Sequence, residues 1–304
     1  MSSISLTLLP YELVREIFQS ISSFRDRLAF LRTCSTYHDL LVNDLYRDCL
    51  ARGTDTLDNL NNRQINYVLN RDMKCAMSRF LNAGLPVDEK FPHTNNVLLA
   101  QACTYLAVEC VEVLVKNGAD VQWRDARGGT LLHILLIAAD TQGVRCPSSR
   151  RKKALRILSL LLEAGVEVNR GNDPGNTALH YAVTVSRQCV EALIHAGASP
   201  LTDRNGYGAS VLHTAVLYGS METVRVLLRK GADVNGVDRN GDTALFQCVR
   251  LRDRRCLDVL LNNGATKLGG SKGKMLLGRI WREFRCPTRY VELVRKAFDE
   301  ECFL

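Results

Sequence analysis

One landmark recurs along this chain at a nearly fixed interval. A glycine beside alanine follows an apolar helical run at Asn82-Ala83-Gly84, Asn117-Gly118-Ala119-Asp120, Glu163-Ala164-Gly165, Ala196-Gly197-Ala198, Lys230-Gly231-Ala232-Asp233 and Asn263-Gly264-Ala265. The glycine spacings are 34, 47, 32, 34 and 33 residues, and the outlier equals 33 plus a 14-residue insertion. A period of this size marks a stack of supersecondary units, each of which buries its apolar face only against its neighbours.

Two further landmarks recur in phase with the glycines. Upstream lie Thr130-Leu131-Leu132-His133, Thr177-Ala178-Leu179-His180, Ser210-Val211-Leu212-His213 and Thr243-Ala244-Leu245-Phe246. Between them sit the turn pairs Asp125 and Gly128, Asp203 and Gly206, and Asp238 and Gly241. Each landmark has a physical reading. The Thr or Ser hydroxyl caps the orphan N–H groups of a helix. Small and apolar residues such as Leu212 and Ala215 pack between helices. The terminal Gly supplies the left-handed residue that ends a helix. Asp and Gly close a tight turn that projects as a finger.

These landmarks together resemble the ankyrin repeat, over about residues 60–266. The resemblance implies an all-α solenoid of helix–turn–helix repeats with short β-turn fingers. The proline of the family signature is missing throughout, replaced by Leu131, Ala178, Val211 and Ala244. The first repeat, near 63–87, keeps only the spacing and Gly84; the second, near 91–122, starts its helix on Val97-Leu98-Leu99-Ala100. The insertion is expected as a surface loop at 140–153, carrying Arg150-Arg151-Lys152-Lys153 as a solvated basic stretch, with an import signal or a dock for an acidic partner as the alternatives. Residues 267–304 read as a degenerate helical cap. The aligned His133, His180 and His213 belong to repeats about 10 Å apart, too far for a shared metal ion. In the family such histidines hydrogen-bond between neighbouring repeats. No metal and no cofactor are expected.

Residues 1–58 depart from the repeat. Leu9-Pro10-Tyr11-Glu12-Leu13-Val14-Arg15-Glu16-Ile17-Phe18 opens a helix with Pro in its first turn and an apolar stripe of Leu13, Ile17, Phe18 and Ile21. Leu28, Leu31, Cys34, Tyr37 and Leu40 follow in helical register. The ordered set resembles an F-box, with Tyr37 in place of the commoner Trp or Phe. That resemblance implies docking onto a Skp-type adaptor of a cullin–RING ubiquitin ligase, through Leu9, Pro10, Leu13, Ile17, Leu28, Leu31 and Cys34. The repeats at 59–266 would then hold an unknown protein substrate.

In ankyrin families, partners sit on the fingers and on the exposed side of the first helix. Counting from the landmarks places Trp123, Arg124, Arg127, Arg204, Tyr207 and Arg239 on fingers. Tyr105, Thr184, Leu217, Tyr218 and Arg250 fall on the helix face. Trp123 and Tyr207 stand out, because aromatics dominate interface energetics and a finger has little core to bury them. Tyr207 follows Gly206 in a finger read as two residues longer than the repeat allows.

The net charge of +8 is uneven: residues 1–142 hold 14 basic and 16 acidic side chains, and residues 143–304 hold 26 and 16. Such asymmetry permits an acidic partner. No nucleic-acid motif accompanies it, so a nucleic-acid partner is not expected. The eleven cysteines include no CxxC pair, which argues for reduced thiols in a cytoplasmic or nuclear protein. No secretory signal is expected, and the longest nearly apolar run, Leu131–Ala139, is far short of the about 20 residues that span a bilayer. No nucleophile elbow, phosphate loop or zinc-protease motif occurs, so the chain reads as a binding subunit and not an enzyme. The competing reading is an ankyrin scaffold in signalling or transcription without a ligase connection.

Overall fold

The structure is a computed structural model. It describes residues 11–21, 26–27, 65–66, 68–88, 90, 96–140, 148–201, 204–218, 221–251 and 253–265. These residues are helical, with isolated β-bridges and no strand among them. The chain divides into two compact units, Met1–Ala119 and Asp120–Leu304.

In the first unit, α1 (Tyr11–Ser20) follows directly on Pro10. Val14 is fully buried, whereas Ile17 on the expected apolar stripe is 40% exposed. Arg27 closes this helix: its Nε donates to the carbonyl of Ile21 at 2.6 Å and its Nη2 to that of Gln19 at 2.9 Å. A cation there satisfies carbonyls that have no partner within the helix. Leu9, Pro10, Leu28, Leu31 and Cys34 lie outside the described residues, and Leu13 lies within α1.

The same unit holds α2 (Lys74–Asn82), α3 (Leu98–Tyr105) and α4 (Val108–Lys116), with α4 packed on both of the others. Ala107, the residue before α4, has no side chain able to cap it. Asp72 supplies the cap from another repeat, its Oδ1 accepting from Glu109 N at 2.8 Å and Cys110 N at 3.1 Å. Burial pushes the thiols of Cys103 and Cys110 up to about 12, the latter helped by Asp72. Both stay protonated and behave as small apolar groups.

Among the described residues the second unit has four helix pairs: α5 (Leu131–Ala139) with α6 (Ser148–Glu163), α7 (Ala178–Val185) with α8 (Arg187–His195), α9 (Val211–Leu217) with α10 (Met221–Arg229), and α11 (Ala244–Leu251) with α12 (Arg254–Asn262). The first helices of the pairs pack on one another in order, and so do the second helices, giving two parallel rows. Leu132, Leu158, Leu193, Leu227 and Leu260 are among the fully buried side chains between the rows. Each buried leucine contributes about 1.5–3 kcal/mol relative to exposure. Gly165, Gly197, Gly231 and Gly264 end the second helices with φ from +81° to +95°.

Each pair is preceded by a finger closed by one antiparallel bridge: Arg124 with Thr130, Gly171 with Thr177, Arg204 with Ser210, and Val237 with Thr243. Within each finger, Asp125, Asn172, Asn205 or Asp238 accepts backbone N–H groups through its side chain. This corrects the register of the third finger. Its turn runs from Asn205 to Gly208, not from Asp203 to Gly206. Asn205 Oδ1 takes the N–H groups of Tyr207 and Ala209, both at 3.0 Å, and Gly208 holds the positive φ of +73°. The finger is therefore as long as the others, and the additional residue lies upstream, between Gly197 and Asn205.

The fingers are zipped together at their tips. Asp173 N donates to Arg127 O at 2.9 Å, Gly206 N to Pro174 O at 2.6 Å, and Arg239 N to Tyr207 O at 3.0 Å. Pro174 serves here because its position only accepts, so the missing N–H costs nothing.

The insertion also differs from the expectation. Helix α6 begins at Ser148, and Arg150, Arg151, Lys152 and Lys153 lie on it instead of in a loop. Helices α8, α10 and α12 have nine residues each, and α6 has 16. Arg, Lys and Ala are strong helix formers, and Pro147 just ahead suits a helix start.

Candidate protein-binding surface

Three histidines fix the geometry of the finger side. The Nδ1 of His133, His180 and His213 accepts the backbone N–H of Thr130, Thr177 and Ser210 at 3.1–3.2 Å. An amide can only donate, so the ring proton sits on Nε2. That nitrogen donates to the next finger: His133 to Asn176 O at 2.8 Å, His180 to Ala209 O at 3.3 Å, and His213 to Asp242 O at 3.0 Å. All three rings are buried. Burial holds their basicity below the ordinary histidine range, for His180 at about 4. The resemblance's inter-repeat role for these residues is what the geometry displays. No grouping of His, Cys, Asp and Glu fit to hold a metal occurs among the described residues.

In the repeat that ends at Gly264, Phe246 replaces the histidine. Its N–H donates to Thr243 Oγ1 at 3.2 Å, so the helix start is still capped.

Between the fingers and the first-helix row lies a groove of about 350 Å³, lined among others by Ile137, Asp140, Asn176, Tyr181, Thr184 and Tyr218. The Tyr181 hydroxyl accepts from Asn172 Nδ2 at 3.0 Å, and its ring stands edge-on to His133 at 5.5 Å between centroids. Tyr218 is 59% exposed and Ile137 is 52% exposed. The groove is thus a mixed apolar and hydroxyl-bearing strip. Of the sequence candidates, it brings together Thr184 and Tyr218. Ile137 occupies the same repeat position as Thr184, Leu217 and Arg250, and the landmark count could have found it. It was hidden because α5 is apolar around its whole circumference.

The finger candidates fall into two groups. Arg204, Tyr207 and Arg239 form one. Arg204 Nη1 donates to the carbonyls of Gly208 and Val237, so this guanidinium ties two fingers together. Arg239 is exposed and holds the Tyr207 carbonyl, while the Tyr207 ring itself is 71% exposed. Trp123, Arg124 and Arg127 form the other group, at the first finger. Trp123 is half-buried and Arg127 exposed; Arg124 lies 3.8 Å from Glu167, whose carboxyl Arg170 holds below its usual range. Tyr105 belongs to the first unit, at the exposed end of α3. Leu217 and Arg250 are exposed on the first-helix row.

A second set of polar clamps went unnoticed in the sequence. Four residues beyond their helix-ending glycines, Gln122, Asn169 and Asn235 donate to the carbonyls of Gly165, Gly197 and Gly264 at 2.9–3.2 Å. The repeat with the additional residue has Leu201 at that place, 54% exposed.

The family model described as "Ankyrin repeats (3 copies)" matches residues 186–268. These residues are ankyrin repeats. Among similar proteins, the "E3 ubiquitin-protein ligase KEG" of Arabidopsis thaliana is 34% identical over 144 residues, 46% of this chain and 9% of the relative. The human "SH3 and multiple ankyrin repeat domains protein 2" is 29% identical over 195 residues, 63% of this chain and 10% of the relative. The "Ankyrin repeat domain-containing protein SAT10" of Stachybotrys chartarum is 38% identical over 120 residues, 39% of this chain and 6% of the relative. The chain thus spans at most a tenth of the length of these three relatives. Ankyrin repeats are a protein-binding architecture, and here the groove and the finger side chains Tyr207 and Arg239 are open to solvent. Among the described residues, no helix is long and apolar enough to cross a membrane.

Proposed function

We propose that this chain is the substrate-recognition subunit of a Skp–cullin–F-box ubiquitin ligase. The ankyrin repeats hold the protein substrate, and residues 1–58 dock a Skp-type adaptor. The observation that carries this reading is the ordered F-box-like set from Leu9 to Leu40 placed ahead of an ankyrin array. Two facts agree with it. Helix α1 starts immediately after Pro10 and leaves Ile17 part-exposed for a partner. One similar protein, named as an E3 ubiquitin-protein ligase, is 34% identical over 46% of this chain. On this reading the chain is a receptor and not a catalyst, working in the cytoplasm or nucleus without a cofactor.

The test is co-purification of the full chain with a Skp-type adaptor. The wild-type chain should retain the adaptor, and a Leu13→Asp, Ile17→Asp double variant should lose it. Carboxylates placed in an apolar seam cost several kcal/mol, on the order of a micromolar binding free energy. Retention by the variant, or no retention by the wild type, removes the ligase reading. A protein-binding scaffold outside any ligase is then the function, supported by the family match confined to residues 186–268.

A further inference from the structure

The two rows of the second unit differ sharply in charge. Helices α5, α7, α9 and α11 carry one charged side chain between them, Arg250. Helices α6, α8, α10 and α12 carry ten Lys and Arg: five on α6, one on α8, two on α10 and two on α12. One acid per helix stands against them: Glu163, Glu191, Glu222 and Asp258. All ten basic side chains are exposed.

The surplus is concentrated on the part of α6 that its sister helices lack. Residues 148–154 add about two turns, roughly 10 Å, to the helix. Arg151, Lys152 and Lys153 are exposed there, and the first turn of α6 contains no acid. Four cations at consecutive positions repel one another and oppose the positive end of the helix dipole. The extension buries Ala154 but otherwise presents its side chains to solvent.

We infer that the second-helix row, headed by Arg150–Lys153, is a docking face for an acidic polypeptide segment. Charge complementarity commits it to an anion, and three observations select the kind. None of the four helices carries a Phe, Tyr or Trp on which bases could stack. None exposes a large apolar side chain that would enter a lipid surface. The regularly placed acids, one of them paired as Arg187–Glu191 at 2.9 Å, would repel a continuous phosphate polymer. A polypeptide can instead set its carboxylates opposite the cations and leave gaps at the acids. With helix pairs about 10 Å apart, an extended strand of about ten residues covers the row. The inference goes beyond the ligase reading, because it holds equally for a receptor and for a scaffold.

The experiment measures fluorescence anisotropy of the full chain with three probes at physiological salt: a labelled polyglutamate peptide, a DNA duplex and phosphatidylserine vesicles. Polyglutamate is expected to bind most tightly. An Arg151→Ala, Lys152→Ala, Lys153→Ala variant should weaken it by about tenfold, and Arg254→Ala with Arg255→Ala severalfold. Arg150 is left in place because its Nη2 donates to the Ala138 carbonyl. Glutamine replacements at the same three positions should give the same loss, and melting curves should show both variants folded. An Arg127→Ala, Arg239→Ala finger variant should bind polyglutamate as the wild type does. Tighter binding of duplex or vesicles, absent binding of polyglutamate, no loss in the triple variants, or an equal loss in the finger variant overturns the inference.

Discussion

The Nε2 of His133 lies 2.8 Å from the carbonyl oxygen of Asn176, 43 residues further along the chain and one finger away. Its other ring nitrogen takes the N–H of Thr130. One buried side chain therefore caps its own helix and anchors the neighbouring repeat. Replacing His133 with Leu strips the buried Thr130 amide of its partner and removes one of the two N–H groups on the Asn176 carbonyl, which keeps that of Asn172. The expected loss is about 1–3 kcal/mol of unfolding free energy in a urea titration. His195 is exposed, and its hydrogen bond to Glu191 O stays within its own helix. His195→Ala should stay within about 0.5 kcal/mol of wild type. Equal effects of the two substitutions would remove the coupling role of His133.

The same histidines set an acid limit on stability. Their basicity is lowered by burial, to about 4 for His180 against an ordinary 6.5. The unfolded chain takes up protons first as pH falls through 6.5, so the stabilisation is complete above that pH and is lost on the way down to about 4. His180 alone removes on the order of 2 kcal/mol at about pH 5. Urea midpoints measured at neutral and at mildly acid pH check this. The pH-dependent loss should shrink in a His180→Gln variant, whose starting stability is itself lower.

Gly208 and Gly241 occupy equivalent places in adjacent fingers, with φ of +73° and +76°. A methyl group on Gly208 would sit 2.8 Å from Arg239 N, whereas one on Gly241 would meet nothing within 4 Å. Alanine at Gly241 should cost only the backbone strain, about 1–2 kcal/mol. Alanine at Gly208 should cost more, because it also pushes apart the tip contact between Tyr207 O and Arg239 N. Thermal melts of the two variants give the order; the reverse order would mean that the tip contact is not held in solution.

Trp123 and Tyr207 should separate stability from binding. The Tyr207 ring is exposed on a finger whose backbone is already fixed, so Tyr207→Ala should change stability by less than about 0.5 kcal/mol. Trp123 is half-buried, and Trp123→Ala should cost about 1–2 kcal/mol of stability. A protein ligand held on the third and fourth fingers should lose about 2 kcal/mol or more of affinity with Tyr207→Ala, measured by calorimetry. A Tyr207→Ala chain that melts early and binds normally would make the ring a packing element.

Periodicity made the second unit readable because its caps are local. A Thr or Ser before a helix and a Gly after one act within a few residues, so Thr130, Ser210, Gly165 and Gly264 carried their meaning in the sequence. The third finger did not, because Asp203 and Gly206 imitate the spacing of a turn. The competing Asn205 wins because its side chain reaches two backbone N–H groups and Gly208 supplies the positive φ. Ile137 escaped notice for another reason: in a helix as apolar as α5, hydrophobicity no longer distinguishes the buried side from the open one. The basic run at 150–153 reads as a loop because an insertion between repeat landmarks maps to a surface loop, although Arg and Lys favour helix. The F-box-like set was legible only as an ordered pattern, since about 50 residues make too small a core to declare their own fold.

Each of His133, His180 and His213 addresses a backbone oxygen, and the residues that lend it, Asn176, Ala209 and Asp242, share no side-chain chemistry. A main-chain carbonyl is present whatever residue carries it, so the joint between repeats places no demand on its neighbour's spelling. Any repeat with a histidine can be followed by any other that keeps the finger. Duplicating or excising one internal unit by recombination would thus leave every remaining joint chemically intact. The surface exposed to partners can diversify while the mortar stays the same.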